Sequence, residues 1–213
     1  HSPSLPAIVL FDDSLLDAEI RELLKINHQT AITPESLAQI SGTLSLRNKR
    51  IKTIIGIENI HKIKGLDLSL NSIEFIPTFT EPRYYGLINT KRCIFYNMID
   101  LQYINLASNS INDIRQLYVK NIIRLDLSDN KIVCIKSLSN LTNLAYLNLG
   151  NNFIEDIYPL TKLKKLNVLI IFYNKLNLTQ NLNNLKIYHY LEKIKTKNTE
   201  MEKFIYLPQK EKM

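Results

Sequence analysis

One short pattern recurs along this chain at a nearly fixed spacing. Residues 125–132 read Leu-Asp-Leu-Ser-Asp-Asn-Lys-Ile, and the same skeleton returns 22 residues later at 147–154 and a further 22 residues later at 169–176. Towards the N terminus it appears at 104–111 and at 66–73. A period in the low twenties is typical of a tandem array of structural units. The chain is therefore predicted to be built from repeats.

The apolar residues of the pattern predict a short strand in each unit. Successive side chains of a strand point to opposite faces, so the two apolar residues of each Leu-x-Leu share one face and the residue between them takes the other. A unit of 22 residues cannot bury its own apolar row, so neighbouring units must stack, with their strands paired in a parallel sheet. The two ends of such a stack need covers, because they would otherwise expose apolar core and unpaired strand edges.

An asparagine occupies the same position in each of these units, directly after the strand, where the chain turns inward. A side-chain amide at this position can bond backbone groups that the turn leaves unpaired. We therefore interpret these asparagines as structural rather than functional residues. They are Asn71, Asn109, Asn130, Asn152 and Asn174.

The segments after the turn place apolar residues three apart, as at Ile135, Leu138, Leu141 and Leu144. This spacing suits a tight 3-10 path and disfavours long helices. Strand motif and spacing together resemble the leucine-rich repeat family, and within it the class of bacterial internalins and of repeat proteins that regulate phosphatases. The resemblance implies an α/β solenoid with a curved parallel sheet, short 3-10 or irregular convex segments, and an asparagine ladder.

Residues 11–42 lack the repeat pattern, and their sequence predicts two helices. Residues 12–14, Asp-Asp-Ser, supply helix-capping side chains ahead of an apolar stripe that runs to about Asn27. A second, shorter helix is predicted to begin at Thr33-Pro34 and to end by Gly42. This pair of helices resembles the helical N-terminal cap of internalins, whose role is to cover the apolar end of the stack.

Two parts of the chain depart from the period. The repeats are assigned to residues 43–178, but Leu66 and Ile104 are 38 residues apart, and residues 77–103 contain prolines and many aromatic residues. We favour one degenerate repeat with a shortened return in this interval, and the alternative is an inserted loop that replaces a repeat. Residues 179–213 carry apolar residues three apart among many lysines, which predicts a helical C-terminal cap and a tail.

No residue pattern indicates catalysis, a metal site or a cofactor. The four histidines lie outside the repeat motif, and neither Cys93 nor Cys134 has a second ligand at metal-binding spacing. We therefore predict a protein that is not an enzyme, carries no metal or cofactor, and has two unbridged thiols. A net charge of +7 from scattered lysines, without an apolar run of membrane-spanning length, predicts neither a nucleic-acid partner nor a membrane span.

The outward-facing row of the sheet remains as the candidate site. Tyrosine and arginine often anchor protein interfaces, because each combines a large contact area with a polar group, and both types lie on the middle strands. The last unit becomes apolar, either as part of a ligand-facing patch or because the C-terminal segment, with residues 204–207, covers it. The predicted protein-binding residues are Tyr103, Asn105, Arg124, Asp126, Tyr146, Asn148, Val168, Ile170, Phe172 and Tyr173.

The family resemblance implies a binding protein and does not name the ligand. Our first hypothesis is a non-enzymatic, monomeric internalin-like protein that a bacterium secretes or displays on its surface, and that recognises a host protein through its concave face. The alternative is a regulatory or delivered effector repeat protein that works in the cytoplasm or inside a host cell by docking on an enzyme such as a phosphatase.

Overall fold

The computed structural model of the chain describes residues 7–80 and 91–176. Within them, two helices come first, α1 at Ser14–Leu24 and α2 at Pro34–Leu37. Short 3-10 helices span Ile57–Asn59, Lys136–Asn140 and Tyr158–Lys162. The strands are β1 at Gly42–Ser45, β2 at Ile63–Asp67, β3 at Thr78–Thr80, β4 at Lys91–Cys93, β5 at Tyr103–Asn105, β6 at Arg124–Asp126, β7 at Tyr146–Asn148 and β8 at Val168–Ile170.

Six of these strands form one sheet in the order β1-β2-β5-β6-β7-β8, and every neighbouring pair is parallel. Equivalent positions of successive units lie side by side, with Leu125 opposite Leu147 and Leu147 opposite Leu169. These three leucines are fully buried, because each unit covers the apolar row of its neighbour. The register and the 3-10 helices on the return side confirm the predicted leucine-rich repeat solenoid.

The asparagines after the strands bind the units together. Asn130 Nδ2 donates to the carbonyl oxygen of Leu106 in the preceding unit at 3.0 Å and to that of Leu127 at 3.1 Å, while its Oδ1 accepts from Ile111 N at 2.9 Å. The equivalent asparagines make the same type of backward bond to a leucine carbonyl oxygen, and the predicted ladder is confirmed. They are Asn71, Asn109, Asn152 and Asn174.

The residue before each of these asparagines has a positive φ between 52° and 58°. This left-handed residue turns the chain from the strand into the core. Asparagine and aspartate tolerate the conformation better than other non-glycine residues, and Asp129 and Asn151 fit that preference. Leu70 and Tyr173 do not, so their backbones are held against the intrinsic preference of the residue.

The Asp13 carboxylate links α1 to the first repeat. Asp13 Oδ1 caps α1 by accepting from Leu15 N at 2.9 Å and from Leu16 N at 3.2 Å. Its other oxygen accepts from Lys52 N at 2.7 Å and from Thr53 N at 3.3 Å in the first unit. Burial alone would raise the pKa of Asp13, but these backbone donors outweigh it, and the pKa lies below its ordinary value of 3.8.

The two predicted N-terminal helices are present, with boundaries that differ from the sequence expectation. α1 ends at Leu24, short of the predicted end near Asn27, because Lys25 adopts a left-handed conformation with φ 55°. Leu16 and Ile20 of α1 are fully buried and belong to the same core as the repeat leucines. The helices therefore pack against the apolar core of the repeats at this end of the stack.

The interval between β2 and β5 corrects the sequence interpretation. β2 pairs directly with β5, with Gly65 opposite Tyr103, and β3 and β4 form a separate antiparallel pair. The degenerate repeat favoured from the sequence is therefore wrong, because no strand of the described residues in this interval joins the main sheet. The 38 residues from Leu66 to Ile104 are one 22-residue unit with 16 residues added, and the added hairpin leaves the unit between the buried residues Ile76 and Phe95.

The predicted C-terminal cap at residues 179–213, including the apolar residues 204–207, lies outside the described part of the chain.

Candidate protein-binding face

Tyr103, Arg124 and Tyr146 lie side by side on the concave face of the sheet. They occupy the first positions of β5, β6 and β7, and the sheet register pairs Tyr103 with Arg124 and Arg124 with Tyr146. Neighbouring strands are about 4.8 Å apart, so the three side chains are within reach of one another. We call these three residues the concave cluster.

The arginine of the concave cluster lies between the two rings. Its Cζ atom is 4.0 Å from the centroid of the Tyr146 ring and 5.9 Å from that of the Tyr103 ring. Both distances are within the roughly 6 Å range of cation–π attraction. Arg124 is exposed while both tyrosines are half-buried, so the rings hold the guanidinium in place and leave it open to the solvent.

Both phenols of the concave cluster remain protonated at neutral pH. Burial raises the pKa of Tyr103 and of Tyr146, and the negative charges of Asp67 and Asp126 add to the respective increases. Each hydroxyl is therefore a neutral group that can donate as well as accept a hydrogen bond. The cluster combines two aromatic surfaces, two hydroxyls and one cation in a small area.

The polar residues next to the concave cluster are largely occupied within the protein. Asp126 Oδ1 accepts from Ser128 N at 2.9 Å and from Ser128 Oγ at 2.7 Å, and Asp126 Oδ2 accepts from Asn148 Nδ2 at 3.0 Å. Asn105 Oδ1 accepts from Ala107 N at 3.0 Å. Asn105, Asp126 and Asn148 therefore lie beside the concave cluster. Their hydrogen bonds within the protein hold these polar side chains in fixed positions.

The apolar end of the predicted site is less accessible than the sequence suggested. Ile170 is 8% exposed and offers little surface to a partner, because strand alternation sets the direction of a side chain but not its exposure. Val168 and Phe172 are half-buried. Tyr173 is 79% exposed, and its ring meets that of Phe172 edge to face at 5.2 Å between centroids. Of this end, Tyr173 offers the most surface to a partner.

The sequence did not indicate a second aromatic cluster, which lies on the return side of the repeats. The Tyr96 and Tyr118 rings are 5.7 Å apart, and Arg92 Cζ lies 4.0 Å from the centroid of the Tyr96 ring. Tyr96 and Tyr118 are 22 residues apart, which is one repeat period, so the spacing alone could have aligned them. Tyr96, however, falls in the irregular interval 77–103, where the register of the repeats is interrupted. This pair provides a chemically matched comparison for the concave cluster on a different surface.

The described residues hold no group of three or more histidine, cysteine, aspartate or glutamate side chains arranged to bind a metal ion. Cys93 is buried and Cys134 is exposed, and neither is bridged. Burial raises the pKa of the Cys93 thiol. Across residues 7–80 and 91–176, the helices are too short or too polar to cross a bilayer.

Comparisons with known proteins agree with the repeat architecture. Residues 15–130 match the family model described as the Endo-beta-N-acetylglucosaminidase EndoS LRR domain, and residues 120–162 match a model of two leucine-rich repeats. No curated protein matches the chain.

The comparison with solved structures gives two internalins from Listeria monocytogenes str. 4b F2365. Internalin C2 (inlC2) is 26% identical, with a TM-score of 0.66 over 83% of this chain and 73% of that chain. The internalin inlF is 22% identical, with a TM-score of 0.45 over 88% of this chain and 64% of that chain.

The EndoS repeat model covers more than half of the chain, and the parallel sheet, the asparagine ladder and the helical cap are those of stacked 22-residue units. The chain therefore belongs to the leucine-rich repeat family and is an internalin-like member of it.

Proposed function

We propose that this chain is a non-enzymatic binding protein that recognises another protein through the concave face of its sheet. The observation that carries the proposal is the concave cluster, in which Arg124 lies 4.0 Å from the ring of Tyr146 and 5.9 Å from that of Tyr103. Arginine and tyrosine are enriched among the residues that contribute most to protein interfaces. Side chains that are already fixed lose less conformational entropy when a partner binds.

The charge of Arg124 is available to a partner. The ion pairs within the described residues join Arg21 to Asp17, Lys49 to Glu19 and Arg115 to Asp113, and none involves Arg124. Its guanidinium can therefore form hydrogen bonds with a carboxylate or carbonyl group of the partner, while the tyrosine rings supply apolar contact area.

We further propose that a bacterium exports the protein, as a secreted or cell-surface monomer, and that its partner is a host protein. The similarity to internalin C2 over 83% of this chain supports this assignment. The alternative is a regulatory or delivered effector protein that docks on an enzyme inside a cell. An epitope-tagged copy expressed from its own gene should accumulate in the medium or at the cell surface, and exclusive recovery from the cell interior would favour the alternative.

The concave cluster is tested by the double substitution Tyr146→Ala with Arg124→Ala, in a capture assay with a host surface extract. We expect the affinity for the captured protein to fall at least about 30-fold, because truncation of one interface anchor typically costs about 2 kcal/mol or more. The melting temperature should change little, since these side chains lie outside the core.

The matched control is Tyr96→Ala with Tyr118→Ala, which removes an aromatic pair from the return side. This control should leave capture unchanged. Capture that survives the concave substitutions, or that is lost only in the control, would place the interface elsewhere.

A further inference from the structure

Neighbouring strands of the main sheet follow one hydrogen-bonding rule. In each unit after the first, the carbonyl of the middle outward-facing residue accepts from a backbone N–H of the preceding unit. The bonds are Leu46 N to Asp67 O at 2.7 Å, Leu68 N to Asn105 O at 2.8 Å, Leu106 N to Asp126 O at 2.8 Å, Leu127 N to Asn148 O at 2.9 Å and Leu149 N to Ile170 O at 2.7 Å.

The outward-facing residue two positions further on obeys the same rule. Its carbonyl accepts from the left-handed residue of the preceding unit, as in Asn48 N to Ser69 O at 2.9 Å and Ser108 N to Ser128 O at 3.0 Å. Every unit after the first thus has two backbone carbonyls that accept hydrogen bonds from the strand segment of the preceding unit.

β1 is the first strand of the sheet, so no strand lies on its N-terminal side to donate to its two equivalent carbonyls. The equivalent groups are those of Ser45 and Arg47, and no backbone or side-chain donor among the described residues reaches them. Alternate residues of a parallel strand bond to opposite neighbours, and Leu46 N already bonds to β2 at 2.7 Å. The N–H groups of Thr43 and Ser45 therefore also point away from β2, towards the free edge.

An open groove runs along this edge, between β1 and the C-terminal end of α1. One part, of about 640 Å³, is lined by Leu23, Leu24 and Ile40 together with Thr43–Ser45. A second part, of about 420 Å³, continues past Ser45. Leu23 is 50% exposed, so the groove has an apolar wall opposite a row of backbone donors and acceptors.

We propose that this groove binds an extended peptide segment of another protein, which adds to the sheet as a strand parallel to β1. N–H and C=O groups that alternate at strand spacing are matched by another polypeptide backbone. In the register of the other units, the peptide donates to the Ser45 and Arg47 carbonyls and accepts from Ser45 N–H. An apolar side chain of the peptide, flanked by polar residues, enters the hollow beside Leu24 and Ile40.

The register of the edge disfavours two-fold pairing with a second copy of the chain. A two-fold axis would place the two β1 strands antiparallel to each other, whereas the Ser45 and Arg47 carbonyls are the equivalents of those that accept from a parallel strand in the other units. Lys25, Lys49, Glu19 and Glu22 line the second part of the groove, and Lys49 is bound to Glu19 at 2.7 Å. The groove therefore offers charges of both signs to the polar residues that flank the apolar side chain of the peptide.

The test uses a displayed random peptide library, selected on the wild-type protein, and the substitution Ser45→Pro. Proline removes the outward N–H, and an edge strand tolerates it because that group bonds nothing inside the sheet. Ser45→Ala keeps the N–H and is the matched control. Selected peptides should bind wild type and Ser45→Ala equally, and Ser45→Pro at least about tenfold more weakly, because a peptide carbonyl is left unpaired.

Two further measurements make the result independent of how well Ser45→Pro folds. Methylation of the peptide nitrogen that donates to the Ser45 carbonyl should weaken binding to the unchanged protein by a similar factor. Bound peptide should slow amide hydrogen exchange at Thr43 and Ser45, and the double variant Tyr146→Ala with Arg124→Ala should bind it normally. A selection that yields no peptide sensitive to Ser45→Pro, or peptides that require the concave cluster, would overturn the proposal.

Discussion

Replacement of Asn130 by alanine should destabilise the whole stack. Its amide donates to Leu106 O at 3.0 Å, Leu127 O at 3.1 Å and Ser128 O at 3.0 Å, and accepts from Ile111 N at 2.9 Å. The side chain is buried, so water cannot replace these bonds without entering the core. The substitution therefore leaves backbone groups of two adjacent units unpaired.

The magnitude follows from the number of bonds that the amide can make. The Asn130 side chain has two amide hydrogens to donate and one oxygen to accept, so we count three hydrogen bonds. The two donated bonds are shared among the three carbonyls of Leu106, Leu127 and Ser128. A buried intramolecular hydrogen bond contributes about 1 kcal/mol net, so Asn130→Ala should lower the free energy of unfolding by about 3 kcal/mol. This is a large part of the roughly 5–15 kcal/mol of stability typical of a domain.

Urea unfolding followed by circular dichroism measures the effect, since the chain has no tryptophan to report by fluorescence. The matched control is Asn140→Ala, on an exposed residue at the end of the Lys136–Asn140 3-10 helix. It should change the free energy of unfolding by no more than about 0.5 kcal/mol.

Asn130→Asp has nearly the shape of the wild type but replaces the amide donor by a carboxyl group. It should destabilise the protein at least as much as alanine at neutral pH, because a buried carboxylate would face the carbonyls of Leu106 and Leu127. A loss below about 1 kcal/mol for Asn130→Ala, or equality with Asn140→Ala, would refute a structural role for the ladder.

Two further stability changes follow from single positions. Asp13→Asn should lower the free energy of unfolding by about 1–3 kcal/mol at neutral pH, because it weakens four charge-assisted backbone bonds. The folded-state pKa of Asp13 lies below 3.8. The stability difference between wild type and variant should therefore be constant above that pH and disappear as the pH falls through the lowered pKa. Urea melts at several pH values measure this, and a difference that grows in acid would contradict it. Leu70→Asn should raise the free energy of unfolding by about 0.5–1 kcal/mol, because Leu70 is exposed and asparagine tolerates its left-handed backbone better than leucine. A lower free energy of unfolding in the same urea assay would contradict this prediction.

The strand register and the asparagine ladder could be predicted from the sequence because both repeat with the period of the fold. Each unit imposes the same local demands, so Leu125, Leu147 and Leu169 identify equivalent strand positions without knowledge of long-range contacts. The same periodicity placed Tyr103, Arg124 and Tyr146 on adjacent strands. It could not reveal that the guanidinium lies closer to the Tyr146 ring, because that depends on side-chain packing.

The inserted hairpin could not be recognised for a related reason. Ile88 lies 22 residues after Leu66, and apolar residues continue beyond it, so local spacing supports a weak repeat as well as an insertion. The deciding observation is the direct pairing of β2 with β5, which is a contact between distant residues. The exposure of Ile170, 8%, likewise could not be predicted from strand alternation, because exposure depends on what packs over the strand.

The most direct test of the concave face is a photo-crosslink from inside it. Asn105→p-benzoylphenylalanine puts a reactive group beside the concave cluster, and Asn140→p-benzoylphenylalanine puts the same group on the return side. Irradiation of the complex with the captured protein should give a covalent adduct from position 105 and none from position 140. An adduct from position 140 alone would contradict binding through the concave face.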